Sequence, residues 1–479
     1  MSTLSNSGAN LPAARNGELA KLIRDNYSLD ELETLRSLLA AKGSLTIRRY
    51  SSGGHSAVSV LNTEKQLESA VDGLLVFQWD RDNIMQALAE LTLADNDRLN
   101  AGLNVSKDAW KRGLLSSVIH HRKGESRFLN IIHGRASGYP QDYFQRPHIR
   151  YNPISLYEVG DPWGHGQNDS LSFVNFMLFH ALKTGRIKWS DAMIQDLSAF
   201  ATLLHSYFWT IHVWEDHDLG AWEDKVAQHW SSIACVLVSL REQFEVLFPD
   251  GAVRYDQAGH TYLMRDQGVK ELIDKCEAKL NELGTREFIP SQYNSDSRDV
   301  DLAQINPLLL AAFAGKPVLN DANTVAILEN VERELMGPIG IRRYRKDLWD
   351  GRINRFDLGG DEEAQWCHGS PQMSYIYGEL YQRTGNEQYL RKQVFHFNRG
   401  VASIPDSWLM PEAWIIDVNT RQWVPDANEP LAWATSMLVL SFGQLQKSLE
   451  RKERSQAAAA AQASLVAAAP TAAVDSSSK

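Results

Sequence analysis

Cysteine is scarce in this chain of 479 residues, which has only three, at positions 235, 276 and 367. Three scattered cysteines cannot build a disulfide framework or a cysteine-based metal site, and they fit a reducing compartment. The histidines at 120, 121, 165, 229 and 368 also lack a zinc-binding spacing such as His-Glu-x-x-His. We therefore expect no metal site and no cofactor.

Long apolar runs are missing as well. No stretch approaches the roughly 18 uninterrupted apolar residues of a membrane-spanning helix, so no membrane partner is expected. The first 17 residues are polar and rich in small side chains, without the apolar core of a secretory signal. The prediction is a soluble, cytoplasmic protein, with a short organellar transit peptide left open.

Positive charge is in deficit. Lysine and arginine number 49 against 59 aspartate and glutamate residues, for a formal net charge of −10. A negatively charged chain repels polyanions, so a nucleic-acid partner is not expected. A neutral or cationic ligand fits this charge better.

Helical periodicity is abundant, and no 34- or 40-residue repeat of a solenoid is visible. The chain is predicted to be all-α, with a disordered N-terminus at 1–17, one domain at 18–450 and an Ala-rich disordered tail at 451–479. Expected strands are few: 44–51, 253–255 and 340–344. The expected helices span residues 18–25, 29–41, 84–93, 105–121, 170–184, 189–208, 230–248, 267–283, 301–314, 320–336, 363–383, 387–404 and 431–448.

Aromatic side chains are plentiful, with 14 Trp, 15 Tyr and 16 Phe. Flat rings stack on sugar faces, although they also simply fill a large core. Glu223 directly follows Trp222, and a carboxyl that is partly desolvated beside an indole favours its neutral, proton-donating form. Glu223 is therefore a candidate general acid. Glu215, which follows Trp214 but lacks the Asp-x-Gly-x-Trp sequence before it, is instead interpreted as a salt-bridged helix-cap carboxylate.

Polar clusters recur near predicted loop-to-helix junctions. If these junctions face one end of a helical toroid, two glutamates and a set of Asp, Arg, Asn and Trp side chains converge on one pocket. Asp and Arg hydrogen-bond neighbouring hydroxyls, and two carboxyls supply the acid and base for acetal cleavage. The clusters are Trp79-Asp80-Arg81-Asp82, Trp163-Gly164-His165-Gly166-Gln167-Asn168-Asp169, Trp222-Glu223, Ile341-Arg342-Arg343-Tyr344 and Met410-Pro411-Glu412-Ala413.

The order of these motifs resembles glycoside hydrolase family 15, the glucoamylase-like enzymes. The matching patterns run from about Leu74 to Leu440: Trp-x-Arg-Asp, Trp-Gly-x-x-Gln-Asn-Asp, Asp-x-Gly-x-Trp-Glu, Arg-Tyr-x-x-Asp, then Pro-Glu followed by Pro-Leu-x-Trp. The chain is also similar to the amino-terminal domain of phosphorylase kinase α and β subunits. The resemblance implies an (α/α)6 barrel, a six-hairpin toroid, that uses no metal.

The resemblance also implies residue roles. Glu223 would be the general acid and Glu412 the general base of an inverting α-glucosidase that releases β-D-glucose from non-reducing ends of glucans or maltooligosaccharides, with α-1,4 and possible α-1,6 specificity. The substrate-binding residues would be Trp79, Arg81, Asp82, Trp163, Gln167, Asn168, Asp169, Trp222, Arg343 and Trp366.

Two other functions stay open at this point. One is a catalytically silent carbohydrate-binding regulatory domain like that of phosphorylase kinase, and only in that case would calmodulin or a kinase be a partner. The other is a hydrolase of trehalose or another disaccharide. The expected ligand in every case is a carbohydrate.

Overall fold

The computed structural model describes residues 12–58, 76–138, 140–160, 164–347 and 363–468. Within these ranges, seven short strands accompany the helices: β1 (Gln78–Trp79), β2 (Arg150–Tyr151), β3 (Ala252–Gln257), β4 (His260–Arg265), β5 (Gln365–Trp366), β6 (Ala413–Ile416) and β7 (Trp423–Pro425). The helices are α1 (Leu29–Lys42), α2 (Asp80–Asp95), α3 (Asp97–Asn100), α4 (Ala109–Lys123), α5 (Glu125–Ile132), α6 (Asn168–Lys183), α7 (Ile194–Thr210), α8 (Trp230–Leu247), α9 (Asp266–Leu283), α10 (Ile305–Ala314), α11 (Asp321–Leu335), α12 (Gly369–Thr384), α13 (Glu387–Ala402) and α14 (Ala432–Ala468).

The helices form two concentric rings. Six of them contact one another in a closed circle, in the order α2, α6, α8, α10, α12 and α14, with α14 returning to α2. The other long helices pack outside this circle, each against an inner neighbour: α1, α4, α7, α9, α11 and α13. This arrangement is the (α/α)6 barrel that the resemblance implies.

Burial separates the inner ring from the outer one. In α2, every residue from Asp80 to Leu91 is buried, and α8 is buried almost throughout. A helix that is enclosed on all sides needs no polar face, whereas an outer helix such as α9 buries one stripe only. Polar residues inside the inner ring therefore need a specific partner or a cavity.

Local sequence explains where the helices begin and end. Ser28 caps α1 through a capping box with Glu31, and Gly43 ends it in the left-handed conformation. At α2 the expected start was residue 84, but the helix already begins at Asp80. The polar cluster after Trp79 thus lies on the first turn of an inner helix.

Several expected elements differ from the structure. The predicted strand at 44–51 is wrong: residues 46–50 have no regular secondary structure, and Arg49 in this segment binds Glu90 and Asn83 of α2. The predicted strand at 340–344 is only an isolated bridge at Ile341. The predicted helix at 18–25 is a single 3-10 turn, Leu19–Lys21.

Two features of the barrel were not predicted. The helix expected from residue 363 starts at Gly369, because Gln365 and Trp366 form a strand instead. That strand, β5, pairs with β6, and β6 pairs with β7. Among the described residues no helix is long and apolar enough to cross a membrane.

The C-terminal segment is more helical than expected. The last inner helix, α14, continues to Ala468 and so extends through part of the tail that was predicted to be disordered. Alanine has the highest intrinsic helix propensity, which explains the extension through the run at 457–461. The side chains from 453 to 464 are all exposed, so this part of the helix adds nothing to the buried core.

Truncation after Arg454 is expected to change the melting temperature by less than about 2 °C, because the removed side chains through 464 bury no apolar surface. Calorimetry on full-length and shortened protein measures this. Truncation after Gly443 is the contrasting variant, since it removes the buried Leu445 and Leu449 and should lower the melting temperature strongly. A large loss from the first truncation would show that the extension is structural.

Candidate active site

A cavity of about 1120 Å³ lies at the end of the barrel where the inner helices begin. Its walls come from the starts of α2 and α14 and from the loops before α8, α10 and α12. Eight of the predicted site residues line it: Trp79, Arg81, Asp82, Trp222, Glu223, Arg343, Trp366 and Glu412. The junction clusters of the sequence therefore do converge on one space.

Glu223 is held by side chains from α2, from β1 and from the loop that ends at the start of α6. Its Oε1 accepts a hydrogen bond from Trp79 Nε1 at 3.1 Å and another from Gln167 Nε2 at 2.8 Å. Arg81 Nη2 lies 3.6 Å from the same oxygen. These contacts orient the carboxyl in the cavity wall, with only 11% of its side chain exposed.

The backbone at Glu223 takes an unusual conformation. Its φ is +60°, in the left-handed region that a glutamate rarely adopts. The turn is tightened by Gly220, also at φ +60°, where an added Cβ would lie 2.8 Å from the His229 ring. Glycine in the Asp-x-Gly-x-Trp-Glu motif is thus needed for both its φ and its lack of a side chain. Such strain is typical of functional sites.

Glu412 lies in the loop before β6. Its backbone N–H donates to the Asn428 carbonyl at 3.0 Å, and its own carbonyl accepts from the N–H of Cys367 at 3.0 Å. Asn428 Nδ2 donates to Glu412 Oε2 at 2.6 Å. Burial raises the pKa of the Glu412 carboxyl to about 8, and the charge of Asp426 adds to the rise.

Asp82 and Arg81 lie side by side on the first turn of α2. Arg81 Nη1 donates to Gln167 Oε1 at 3.0 Å and lies 3.7 Å from Asp169. Burial raises the pKa of Asp82 to about 6, which the Arg81 charge opposes and the Glu223 charge enhances. Both side chains face a cavity that a hydroxylated ligand could fill, replacing water as the hydrogen-bond partner.

Arg343 is fixed between a carboxylate and indole rings. It donates two parallel hydrogen bonds to Asp347, at 2.6 and 2.7 Å. Its guanidinium lies 5.4 Å from the Trp222 ring centroid and 5.0 Å from that of Trp366, and the two indoles are 5.6 Å apart. Arginine held in this way presents a flat polar edge to the cavity.

The remaining predicted site residues occupy other places. Three of them are buried and, within the described chain, do not line the cavity: Gln167, Asn168 and Asp169. Gln167 and Asp169 contact residues that do line it, whereas Asn168 pairs with Asp216. They support the cavity wall from behind. Trp163 lies outside the described residues.

Several cavity residues were missed by sequence reasoning. Trp433 belongs to the Pro-Leu-x-Trp motif, so a signal was present, and Arg81 lies 5.3 Å from its ring. Asp224 also lines the cavity, and its carboxylate accepts from Tyr344 at 2.5 Å and from Arg298 at 3.3 Å. Arg150 reaches the cavity through the pairing of β2 with β1. Neither Arg150 nor Asp224 had a sequence signal strong enough to select it.

Comparison with known families identifies the chain. The profile of the glycosyl hydrolases family 15 matches residues 75–439. The chain belongs to this family. The matched range agrees with the motif span of Leu74 to Leu440, and no curated protein sequence matches the chain. A family 15 member with this barrel is a glycoside hydrolase, which confirms the predicted enzyme class.

Solved structures with the same fold include several glycosidases. A wild-type glycosidase has a TM-score of 0.60 at 14% identity, over 88% of this chain and 99% of that one. A variant of a glycosidase in complex with glucose has a TM-score of 0.58 at 13% identity, with the same shares covered. A glucoamylase from Saccharomycopsis fibuligera has a TM-score of 0.54 at 14% identity, over 93% of this chain and 99% of that one. At these identities the likeness concerns the fold of the family 15 barrel.

Replacing Asp82 by Asn in this family 15 enzyme is expected to lower kcat/KM about 100-fold. The change removes the charge of a predicted acceptor for substrate hydroxyls, and such hydrogen bonds contribute about 1.5–3 kcal/mol. Steady-state kinetics and calorimetric binding of glucose should show losses together, since ground state and transition state both use the contact. Asp95→Asn, at the exposed end of the same helix, is the matched control. Wild-type kcat/KM in Asp82→Asn would remove Asp82 from substrate binding.

Replacing Glu412 by Gln is expected to stabilise the protein by roughly 4 kcal/mol at pH 8 and hardly at all at pH 4. Burial raises the pKa of Glu412 to about 8, so the folded state keeps a proton that an unfolded glutamate has lost. The stability of the wild type therefore falls as the pH rises from about 4 to about 8, whereas the glutamine variant has no proton to lose there. Urea unfolding at both pH values measures the difference. An equal change in stability at both pH values would contradict the prediction. The control is Glu215→Gln, because Glu215 is exposed.

Proposed function

We propose that this family 15 enzyme is an inverting α-glucosidase that releases β-D-glucose from the non-reducing ends of α-1,4-linked glucans and maltooligosaccharides, with α-1,6 linkages as a further substrate. One observation carries the proposal: Glu223 and Glu412, from loops that precede different inner helices, line a single cavity. Acetal hydrolysis with inversion needs two carboxyls of this kind, one on each side of the scissile bond.

The chemistry assigns a different task to each carboxyl. Glu223 donates a proton to the glycosidic oxygen while the bond from that oxygen to the anomeric carbon breaks. A water molecule bonds to the anomeric carbon from the opposite face and passes its proton to Glu412. Inversion follows because the water attacks opposite the leaving group, which requires the two carboxyls to be roughly 6.5–9.5 Å apart.

The terminal sugar would be held by the polar residues around these carboxyls. Asp82 and Arg343 supply an acceptor and donors for neighbouring hydroxyls, and both line the cavity. The indoles of Trp222 and Trp366 supply flat apolar surface beside them. This combination suits a neutral sugar, and the glycosidase variant with the same fold binds glucose.

The proposal is tested by glucose release from maltose, maltotriose, isomaltose, glycogen and trehalose. Proton NMR of the first product identifies the anomer, and Glu412→Gln is run beside the wild type. Initial β-glucose from maltose, lost in the variant, is the expected result. Initial α-glucose would overturn inversion, and release from trehalose alone would replace the α-1,4 assignment by a disaccharide hydrolase. Sugar binding without any release would favour the regulatory alternative.

A further inference from the structure

A buried histidine lies beneath the turn that carries Glu223. This turn, residues 218–227, is here named the acid turn, and its two ends are joined by a pair of backbone hydrogen bonds, each 3.0 Å long. His229 follows it at the start of α8 and is buried. Its ring lies against Gly220, so closely that a Cβ there would come within 2.8 Å of it. The ring thus supports the acid turn from the side of the core.

Both ring nitrogens of His229 face hydrogen-bond acceptors. Nδ1 lies 3.0 Å from Glu287 Oε1, and Nε2 lies 2.9 Å from the backbone carbonyl oxygen of Lys225. A backbone carbonyl and a carboxylate only accept hydrogen bonds, so each ring nitrogen has to carry a hydrogen. The ring that makes both contacts is therefore the positively charged imidazolium.

The contacts of Glu287 place the proton on the histidine. The Ser231 N–H donates to Glu287 Oε2 at 3.2 Å, and Ser231 Oγ donates to Oε1 at 2.6 Å. Hydrogen bonds from such donors favour the charged form of a carboxyl. The backbone carbonyl of Glu287 also accepts from the N–H of Trp230 at 2.7 Å, which fixes the residue at the start of α8. His229 and Glu287 are therefore a buried, hydrogen-bonded ion pair.

Four carboxyls lie within electrostatic reach of the His229 ring. They are Glu287 from the segment between α9 and α10, Asp218 and Asp224 from the acid turn, and Asp169 from α6. Burial opposes a positive charge on the ring, but the hydrogen bond to Glu287 and the charge of Asp218 outweigh it and raise the pKa of His229 to about 9. The electrostatic surroundings thus agree with the hydrogen-bond geometry.

We propose that His229 is a positioning residue for the general acid: its imidazolium ties the Lys225 carbonyl to Glu287 and so holds the acid turn with Glu223 directed at the glycosidic oxygen. The inference rests on the proposed function, because it assigns His229 a role that acts through Glu223. His229 itself touches no substrate.

The two contacts of the ring bracket Glu223 in the chain. Gly220, against which the ring packs, lies three residues before Glu223, and Lys225 lies two residues after it. The φ of +60° at Glu223 is costly for a glutamate and persists only where the surrounding structure holds it. Holding the backbone on both sides of Glu223 supplies that restraint.

Asparagine and glutamine at position 229 separate the two hydrogen bonds. Asparagine places an amide nitrogen near the position of Nδ1, whereas glutamine places one near that of Nε2. His229→Asn therefore loses the bond to Lys225, and its kcat/KM on maltose is expected to fall about 100-fold, since small misplacement of a reacting group has effects of this size. His229→Gln keeps a donor to Lys225 and should lose less than about 10-fold. Equal or reversed losses in the two variants would overturn the proposal.

The leaving group distinguishes positioning of the acid from general damage. Fluoride needs little protonation to depart, so His229→Asn should hydrolyse α-glucosyl fluoride within about threefold of the wild type. A purely structural defect would lower hydrolysis of maltose and of the fluoride alike, and that result would overturn the proposal. If His229→Asn fails to fold, Glu287→Gln is the second variant, because it removes the charge that keeps both ring nitrogens protonated. It should show the same selective loss on maltose.

A similar buried pair elsewhere in the barrel provides the matched control. His180 Nδ1 lies 3.0 Å from Glu242 Oε2, near the opposite ends of α6 and α8 from the cavity. His180→Asn breaks this pair and should leave the ratio of the rates on maltose and α-glucosyl fluoride unchanged. A selective loss on maltose in this control as well would contradict a role specific to His229.

Nitrogen-15 NMR of histidine-labelled protein reads the charge on the ring directly. The signals of His229, assigned by their absence in His229→Gln, should show hydrogens on both ring nitrogens at about pH 7.5, where an ordinary histidine with a pKa near 6.5 is mostly neutral. In Glu287→Gln one of these hydrogens should be lost. A neutral His229 ring in the wild type at this pH would overturn the proposal.

Hydrogen exchange separates this proposal from the proposed function, because it needs no substrate. Backbone amides of the acid turn should exchange at least about 10-fold faster in His229→Asn and at the wild-type rate in His180→Asn. Faster exchange supports the restraint by His229 even if the wild type hydrolyses no glucoside, in which case only the proposed function fails. Hydrolysis by the wild type together with unchanged exchange in His229→Asn would overturn the role of His229 alone.

Discussion

Replacing Glu223 by Gln is expected to lower kcat on maltose about 1000-fold while binding of the sugar persists. Glutamine keeps the shape of the side chain but has no proton to donate to the leaving oxygen, and general acids contribute about 10²- to 10⁴-fold to such reactions. Steady-state kinetics on maltose and calorimetry with glucose measure the two effects separately. Unchanged kcat would remove Glu223 from the acid role.

The leaving group gives a sharper test of this role. Fluoride needs little protonation to depart, so α-glucosyl fluoride should be hydrolysed by Glu223→Gln with a much smaller loss than maltose. Equal losses on both substrates would point to damaged binding rather than to lost proton donation. The matched control is Glu215→Gln, because Glu215 also follows a tryptophan but is exposed. It should behave as the wild type on both substrates.

Replacing Glu412 by Ala is expected to reduce hydrolysis of α-glucosyl fluoride about 1000-fold, and azide should restore turnover. The alanine leaves room beside the anomeric carbon and removes the group that activates water. Azide is a nucleophile that needs no proton removed, so it can replace water on the same face. The product should be β-glucosyl azide, with one carbon–nitrogen bond formed as the carbon–fluorine bond breaks.

NMR of the azide product decides between roles for Glu412. The β anomer indicates that Glu412 lies on the face opposite the leaving group, as an inverting base must. An α-glucosyl azide would place Glu412 on the leaving-group side and contradict the assignment. Glu223→Gln with azide is the comparison, since it should show no such rescue on maltose.

Much of the site was predictable because its residues occur in short motifs with strict internal spacing. Arg81 and Asp82 lie two and three residues after Trp79, and Glu223 follows Trp222 directly. Neighbours in sequence remain neighbours in the fold, so each motif delivers its side chains together. The helices were predictable for a related reason, since amphipathic or fully apolar periodicity is a local property.

Residues held by long-range pairing were not predictable. Asp426 and Asn428 reach Glu412 through the loops around β6 and β7, and Arg150 reaches Trp79 through the β1 and β2 pair. Strands of two to four residues have too little alternation to be recognised in a sequence. The same weakness accounts for the wrong strand at 44–51 and the late start of α12 at Gly369.

By itself the sequence determined the helical class, the family and the identity of the two candidate carboxyls, because these depend on residue type and local spacing. The tertiary structure alone decided that those carboxyls line one cavity and that Gln167, Asn168 and Asp169 lie behind its wall. It also decided that Glu412 has a second carboxyl beside it. The physical reason is that burial and charge–charge contacts depend on distances through space, and those are created only when the ring of inner helices closes.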